Sequence, residues 1–521
     1  MAPVSGWLLA LAAAVAVAGP QQDAQLLQAA AAQDPETALY ALSAGADARA
    51  AEPDGTTALH YAAHHGDQRL VDALLRAKAD PNARNEYGST PLAEAAVLGD
   101  APLIQRLLRA GADAESPNSE GQTALMTVAR AGKLEAARVL LKAGAKVDAR
   151  EKWGGQTALM WASAQGHPAM IKLLLAHGAD PNLRGTIRDW QRRLTAEPRP
   201  KGMNRGGFTP LLYAAREGCI DCARELLAGK ADINLTDPER CSPLLVALLN
   251  LHFDLAAMLI KAGADVDLWD LYGQTPLYVA IDMNTLPRGG RPDLLSEDRL
   301  NGLDVARLLL QAGANPNIQL KLRPPYRNYI YDRGGDTVLS TGATALMRAA
   351  KGGDAAAVKL LLEFKANIDL PNEDGITPLM VAAGMGHGSN PTRGRYKTDA
   401  EAAECTRLLI EAGGRIDARS RTQVTALHSA AQHGWSETVK LLVARGAPPQ
   451  PEDSRGLTPM DYAAGRYQRG FLEPEPRTWT ETMAVLRDLV VAATGQEPKQ
   501  TLGPKPAQTL GTGNTEQGRA R

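Results

Sequence analysis

The sequence has few aromatic residues, few cysteines and almost no net charge. Aromatic residues make up 4% of its 521 residues, which is low for a conventional mixed core. Its 57 basic and 58 acidic residues give a net charge of -1, so no whole-chain field draws it to nucleic acid or anionic lipid. The four cysteines are too few for a disulfide-stapled scaffold. Alanine and leucine dominate, which favours closely packed helices.

The short motifs that carry most enzyme and metal chemistry are also absent from the sequence. It contains no His-Glu-x-x-His string, no nucleophile elbow and no glycine-rich phosphate loop with its lysine. His60 and His64 are spaced i, i+4, but the further ligands of a metal site are missing, which favours a structural role. We therefore expect no enzyme activity, no metal and no cofactor.

The first twenty residues contain an apolar run from Leu8 to Val17, followed by the small residues of a cleavage site. This pattern predicts a signal peptide over residues 1–19, cleaved after Ala18 or Gly19. Because no Lys or Arg precedes the run, an N-terminal helix is the alternative. No later stretch reaches the roughly 18 apolar residues of a membrane span. We expect a chain exported to a periplasm or outside the cell, and the preference for Arg over Lys indicates a GC-rich bacterial genome.

A short string, Gly-x-Thr-(Pro/Ala)-Leu, recurs along the chain with a basic step of 33 residues, and longer gaps equal that step plus an insertion. Such self-similarity is typical of tandem-repeat proteins. Degenerate copies begin at Arg240 and Gln423, and Met460 replaces the leucine of the last copy. The other copies begin at Gly55, Gly88, Gly121, Gly155, Gly207, Gly273, Gly342, Gly375 and Gly456.

Each copy predicts two helices and a turn. In the segment 88–118, Thr90 is placed to cap a first helix, Pro91 suits its first position and Gly99 ends it. A second helix then carries Leu103, Ile104, Leu107 and Leu108 on one face. A single pair of this kind cannot bury its own apolar face, so its stability must come from stacking on its neighbours.

These residues resemble the ankyrin-repeat family, whose pattern is Asp-x-x-Gly-x-Thr-Pro-Leu-His-x-Ala-Ala followed by Leu-Leu-x-x-Gly-Ala-Asp. The segments Thr57–Ala63 and Thr425–His428 match it closely. The resemblance implies an all-α solenoid of ankyrin-type helix-turn-helix units with short turn or β-hairpin fingers. We expect a capping repeat over residues 20–50, eleven repeats over 51–495 and a disordered tail over 496–521.

The sequence departs from the family pattern where residues other than glycine occupy glycine positions. Arg240 replaces the turn glycine of the sixth repeat, and Leu251 replaces its inter-helix glycine. Lys78, Lys230 and Lys365 replace the glycine that ends a second helix. We expect local distortion at these positions without loss of the fold.

The resemblance implies a concave face made by the first helices and the turns. Four aromatic residues flank the turn glycines, at positions where a purely structural role would favour Asn, Asp or Lys. Aromatic residues are enriched in the anchors of protein interfaces. The alternative is that each ring packs on the neighbouring turn. The four residues are Tyr87, Trp153, Phe208 and Tyr272.

Four insertions interrupt the repeats, near residues 186–205, 284–302, 321–340 and 387–399. Three of them concentrate basic residues, and the third adds tyrosines. We expect these loops to bind an acidic partner segment, although insertions are also tolerated without any function. The candidates are Arg188, Arg192, Arg193, Arg199, Lys201, Arg205, Lys321, Arg323, Tyr326, Arg327, Tyr329, Tyr331, Arg333, Arg393, Arg395 and Lys397.

Together these features predict a monomeric protein-protein interaction scaffold that binds its partner on the concave face and the basic, aromatic loops. Two alternatives remain open: a glycan or small-ligand binding module, and a secreted effector that acts on host proteins. Nucleic acid is not expected as a partner.

Cys219 and Cys222 form the single redox-like motif, at the start of the second helix of the fifth repeat. In an oxidising compartment we expect a local disulfide between them, and the alternative is two free thiols. Thioredoxin-like catalysis is not expected, because no βαβ pattern surrounds the motif.

Overall fold

The computed structural model describes residues 19–188, 205–284, 296–322, 324, 338–387, 397–467 and 477–499. The predicted signal peptide, apart from its last residue, lies outside the described residues, as does the tail from residue 500. Most of each insertion also lies outside them.

Helices in pairs make up the described chain, which divides into two compact units, Met1–Asn250 and Leu251–Arg521. In the first unit, α1 is helical over residues 19–31. It is followed by α2 Pro35–Ser43, α3 Ala58–His65, α4 Gln68–Arg76, α5 Pro91–Leu98, α6 Ala101–Arg109, α7 Ala124–Arg130, α8 Leu134–Lys142, α9 Ala158–Ala164, α10 Pro168–Ala176, α11 Pro210–Glu217, α12 Ile220–Ala228 and α13 Pro243–Leu249.

The second unit contains the remaining described helices, again as first and second helices of repeats. They are α14 Phe253–Lys261, α15 Pro276–Asn284, α16 Gly302–Gln311, α17 Ala345–Gly352, α18 Ala355–Glu363, α19 Pro378–Ala382, α20 Asp399–Glu411, α21 Ala426–Gln432, α22 Ser436–Ala444, α23 Pro459–Ala463 and α24 Thr480–Thr494.

Local sequence explains why each pair forms. Thr90 caps α5 by accepting the Ala93 amide at 3.2 Å, Pro91 opens the helix, and Gly99 ends it with a φ of +69°. An added Cβ at Gly132, the equivalent position of the next repeat, would lie 2.9 Å from the His167 ring. This position therefore needs glycine for its backbone angle and for the close approach of the next repeat.

Packing between repeats supplies the core. First helices pack on first helices from α3 to α11 in the first unit and from α15 to α23 in the second. Second helices pack in a parallel row, for example α6, α8, α10 and α12. Leu103, Ile104 and Leu107 of α6 are fully buried, and burying each such side chain contributes about 1.5–3 kcal/mol.

Backbone hydrogen bonds join the turns of neighbouring repeats at several places within each unit. In the first unit, the amide of Glu86 donates to the Asp54 carbonyl at 2.7 Å, and the amide of Lys152 donates to the Glu120 carbonyl at 2.8 Å. In the second, the Glu373 amide donates to the Thr341 carbonyl at 3.1 Å. We call this row the turn ladder. It satisfies backbone groups and fixes the register between repeats.

A second ladder joins the segments that follow the second helices. The side chain of Asn82 accepts the Asp113 amide at 2.8 Å, and that of Asn182 accepts the Asp232 amide at 2.7 Å. In the second unit, Asn317 accepts the Asn367 amide at 2.7 Å. We call this row the Asx ladder. The polar residues that end these repeats therefore hold neighbouring repeats together.

The residues that replace glycine adopt the backbone conformation that glycine would take. Arg240 and Leu251 both have a φ of +65°, and Lys78, Lys230 and Lys365 have φ values of +67°, +69° and +59°. Helix-ending glycines such as Gly111 have a φ of +94°. The expected local distortion is thus limited to a smaller φ at the substituted residue, whose backbone is still in the left-handed region. That conformation costs an L-residue about 1–2 kcal/mol.

The predicted fold class is confirmed: each unit of the described chain is an all-α arrangement of stacked helix pairs. β pairing in the described residues is limited to the isolated bridges Ala51–Thr57 and Ile187–Gly206. In the described parts of the chain, no helix is long and apolar enough to cross a membrane.

We predict that Lys78→Gly stabilises the first unit. Lys78 is exposed and left-handed, and glycine removes the steric cost while adding unfolded-state entropy. The net gain should be about 0.5–1 kcal/mol, or a rise in Tm of about 1–3 °C by calorimetry.

The matched control is Gly111→Lys, the reverse change at the equivalent position of the next repeat. An added Cβ at Gly111 meets no atom within 4 Å, so only backbone strain opposes the change. Its Tm should fall. Equal Tm values for both variants and the wild type would contradict the assignment of strain to Lys78.

Candidate partner-binding surface

Two of the four predicted turn aromatics are exposed. Tyr87 is 63% exposed and Trp153 is 72% exposed. The Glu151 carboxylate accepts the amides of Trp153, Gly154 and Gln156 at 2.6, 2.7 and 2.8 Å. The turn is therefore held by a buried acid while its indole ring remains at the surface, as an interface anchor requires.

Arg188, at the start of the first insertion, stacks on Trp153. Its guanidinium carbon lies 4.2 Å from the centre of the indole ring, and its Nη2 donates to the Trp153 carbonyl at 2.8 Å. Cation–π contacts of this kind contribute about 0.5–1 kcal/mol at exposed sites. The structure thus brings together one predicted aromatic residue and one predicted basic residue.

Two further arginine–aromatic pairs lie on the first helices of the same unit. The Arg130 guanidinium lies 5.0 Å from the centre of the Trp161 ring. The Arg216 guanidinium lies 5.1 Å from the Tyr213 ring, which also meets Phe208 edge-on at 5.4 Å. Trp161 and Tyr213 are partly exposed.

A hydrogen bond connects the turns with the first helices. The Gln156 side chain donates to the Tyr213 hydroxyl at 2.6 Å, and so joins the turn of the fourth repeat to the first helix of the fifth. We define the Arg–aromatic surface as the seven residues that form the three arginine–aromatic contacts and the ring contact between Phe208 and Tyr213. They are Arg130, Trp153, Trp161, Arg188, Phe208, Tyr213 and Arg216.

Carboxylates dominate the corresponding face of the first two repeats. The Tyr61 hydroxyl donates to Glu52 at 2.9 Å, and burial, aided by that carboxylate, raises the pKa of Tyr61 to about 12. Glu94 accepts from Ser89 at 2.6 Å and lies 2.9 Å from a nitrogen of His64. The three arginine–aromatic pairs described above involve residues of the third, fourth and fifth repeats.

Phe208 and Tyr272 do not project as the turn pattern suggested. Phe208 is half-buried against Tyr213, so its ring serves local packing. Tyr272 is half-buried in the other unit, and its carbonyl accepts the Lys321 amide at 2.9 Å. Arg205 and Lys321 are described, the first half-buried and the second exposed. The other insertion candidates lie outside the described residues: Arg192, Arg193, Arg199, Lys201, Arg323, Tyr326, Arg327, Tyr329, Tyr331, Arg333, Arg393 and Arg395.

Lys397, counted with the basic insertion residues, is buried and serves the fold. It is 3% exposed, and its ammonium donates to the carbonyls of Ala350 at 3.0 Å and Val381 at 2.6 Å, near the ends of α17 and α19. The Trp435 ring centre lies 5.5 Å away. Burial lowers the pKa of Lys397 to about 7. Its expected role in binding a partner is therefore wrong.

The first helices of the second unit bury the positions that are accessible in the first unit. Arg348 is at the helix position of Trp161 and Tyr213, yet only 1% of its side chain is exposed. Its Nε donates to Asp282 at 2.5 Å, and Asp282 is equally buried. This ion pair joins α15 to α17 and does not face a partner.

His60 serves the backbone, as its place in the repeat pattern suggested. His60 Nδ1 accepts the Thr57 amide at 3.2 Å, and its Nε2 meets the Ser89 carbonyl of the next repeat at 3.0 Å. Burial lowers the pKa of His60, which favours the neutral ring. Within the described ranges, no group of three or more His, Cys, Asp or Glu side chains is placed to hold a metal ion.

Cys219 and Cys222 are bonded to each other in the structure, as the sequence motif predicted. Cys219 is the N-cap of α12 and is partly exposed, while Cys222 is fully buried. Cys405 is a buried thiol, and burial raises its pKa to about 11.

The geometry defines a class of protein: stacked helix pairs joined by turns, with exposed side chains on turns and first helices. The family model described as ankyrin repeats (3 copies) matches residues 26–115, 94–185, 211–320, 299–390 and 398–471. The chain belongs to the ankyrin-repeat family, whose repeats are protein-protein interaction modules.

Individual relatives match only part of the chain. It is similar to Ankyrin repeat and KH domain-containing protein mask-1 of Caenorhabditis elegans, 30% identical over 150 residues, which are 25% of this chain and 6% of the relative. Ankyrin repeat domain-containing protein 63 of Homo sapiens is 31% identical over 134 residues, 25% of this chain and 32% of the relative.

A third relative is E3 ubiquitin-protein ligase KEG of Arabidopsis thaliana, 27% identical over 128 residues, 24% of this chain and 7% of the relative. The chain thus spans a third or less of the length of these three relatives.

We predict that Arg348→Met strongly destabilises the second unit, because it removes the cation that faces the buried Asp282 carboxylate. The free energy of unfolding in urea should fall by about 3–5 kcal/mol. Adding Asp282→Leu should recover most of that loss, since both charges are then replaced by apolar groups.

The control is the exposed pair Arg307 and Glu363, whose side chains are 49% and 44% exposed. Arg307→Ala should cost less than about 1 kcal/mol. An equal loss of unfolding free energy for Arg307→Ala and Arg348→Met would show that the buried ion pair contributes no more to stability than the exposed one.

Proposed function

We propose that this chain is a non-catalytic scaffold that binds a protein partner through the Arg–aromatic surface. The observation that carries the proposal is the grouping of three arginine–aromatic pairs on three successive repeats of one unit. Membership of a family of interaction modules supports the general role. The limited match to the ubiquitin ligase gives no support for transferring its activity.

The chemistry of the surface favours a partner segment with carboxylates and apolar or aromatic side chains. A guanidinium stacked on a ring keeps its N–H donors in the ring-parallel plane, where carboxylates bind them. The Arg130 and Arg188 guanidinium groups lie over the Trp161 and Trp153 rings, and Trp153 offers exposed apolar area next to Arg188. Tryptophan and arginine are the residue types most often found as interface hot spots.

The basic insertions extend this proposal. Arg188 stands where the first insertion begins, so the Arg–aromatic surface is continuous in sequence with a basic loop. We propose that the insertions add charge contacts to the same acidic partner, and that the protein acts as a monomer. Size-exclusion chromatography with light scattering checks the oligomeric state.

The binding test uses the full chain with Arg130→Ala and Trp161→Ala combined. Immobilised wild type and variant are exposed to the envelope and secreted fractions of the source, and the captured protein is then purified for calorimetry. Loss of one stacked pair should weaken binding at least about tenfold, or 1.4 kcal/mol.

The matched control is Arg138→Ala combined with Tyr40→Ala. Arg138 is 53% exposed on α8 and Tyr40 is 66% exposed on α2, and neither helix contributes a residue to the Arg–aromatic surface. The control should bind like the wild type. A partner that loses affinity only with the control variant would overturn the assignment of the surface.

Deleting residues 321–340 tests the insertions separately. If the third insertion binds the same partner, affinity falls and its dependence on salt decreases, because fewer charge contacts form. Full affinity and an unchanged salt dependence would remove this loop from the proposed interface.

We further propose that the protein is exported from a bacterial cell. The apolar run Leu8–Val17 and the small residues after it support this. Amino-terminal sequencing of the protein from the periplasmic or culture fraction should find a mature chain beginning at Gly19 or Pro20. An intact Met1 with the protein retained in the cytoplasm would contradict export.

A further inference from the structure

Aspartate commonly caps the second helices in this chain. The carboxylates of Asp67, Asp100 and Asp354 accept the amide three residues later, at 2.9, 3.1 and 2.9 Å. The amides of a helix N-terminus favour a negative charge at this position. The scaffold therefore places an anion at the start of these helices.

Cys219 occupies the same position at α12. Its Sγ accepts the Cys222 amide at 3.2 Å, so the sulfur lies where the aspartate oxygens lie in other repeats. When the disulfide is reduced, a Cys219 thiolate can take the place of that carboxylate. Helix N-termini stabilise thiolates in this way, and α12 has nine residues, long enough for the effect.

The two sulfurs differ in access. Cys222 is fully buried, whereas Cys219 is partly exposed. An incoming thiolate therefore reaches Cys219 first. The nearby Asp221 carboxylate is paired with Arg224 at 2.7 Å, which reduces its repulsion of an anionic reagent.

A purely structural role for the bond is weak. The bonded residues are three apart in sequence, and closing so short a loop restricts the unfolded chain less than closing a long one. The reduced form also keeps a helix cap, because a Cys219 thiolate can still accept the Cys222 amide. A side-chain cap at the start of α12 is therefore available in the oxidised and in the reduced state.

We propose that Cys219 and Cys222 form a reversible thiol–disulfide exchange site for low-molecular-weight thiols, a role independent of the proposed partner binding. A small thiolate attacks Cys219 Sγ, the bond between the two cysteines breaks, and the electron pair leaves on Cys222 Sγ, which takes a proton. A second small thiolate attacks the small-molecule sulfur of this mixed disulfide and releases the Cys219 thiolate and a small disulfide. The cysteine pair gains two electrons, which the two small thiols lose.

The first measurement incubates the full chain in buffers of reduced and oxidised glutathione and maps free thiols by alkylation and mass spectrometry. The cysteine pair should pass from disulfide to dithiol across the series. A pair that remains oxidised in the most reducing glutathione buffer, while dithiothreitol reduces it, would overturn the proposal.

The second measurement compares rates of reaction with iodoacetamide at pH 7 after full reduction. Cys219 should react at least about fivefold faster than the cysteine of an unstructured peptide, and the buried Cys405 should serve as the inert reference. A rate at or below that of the peptide would overturn the proposal.

Variants separate the roles of the two cysteines. With oxidised glutathione, Cys222→Ser should accumulate a glutathione adduct on Cys219, because the Cys222 thiol that would displace glutathione and close the disulfide is gone; excess reduced glutathione should remove the adduct. Cys219→Asp restores the cap of the other repeats, and its Tm should match that of the reduced wild type. Capture of a single-cysteine peptide without any glutathione adduct would reject a small thiol in favour of a protein thiol.

Discussion

Stacking between repeats is the constraint on which the rest of this structure depends. No helix pair buries both of its faces alone, so the turn ladder and the Asx ladder must fix each repeat against the next. His60 adds a bond from one repeat to the Ser89 carbonyl of the next. Because these bonds use backbone groups and short polar side chains, they leave the tips of the turns and the outer positions of the first helices for other chemistry.

The same constraint explains why the fold was predictable. Thr90 and Gly99 have local capping roles that any repeat needs, and Leu103 belongs to an apolar stripe that needs a neighbour. Where glycine is missing, as at Lys78 and Leu251, the residue still adopts a left-handed conformation and the next helix or turn follows as in the other repeats. The sequence could show that glycine was replaced, but the response of the backbone depends on packing around it.

The candidate surface was only partly predictable, because its members meet across repeats. Trp153 was found from its place beside a turn glycine, whereas Trp161 and Tyr213 were missed. The signal for them was their position, four residues after the capping threonine, which the family pattern leaves variable. The sequence did not show that Lys397 is buried, and the sequence separation of 66 between Asp282 and Arg348 concealed their pairing.

The start of the second helix shows how a fixed backbone accommodates different chemistry. Asp67, Lys133, His167, Cys219 and Trp479 all occupy this N-cap position. The His167 ring and the Trp479 indole each bond a carbonyl of the preceding repeat, at 3.0 and 2.9 Å, while aspartate and cysteine accept an amide of their own helix. Because the two ladders already fix the position of each repeat against its neighbour, the N-cap position of the second helix tolerates different side chains. Within this stack, a change of function requires only a change of side chain at a position whose backbone is already fixed.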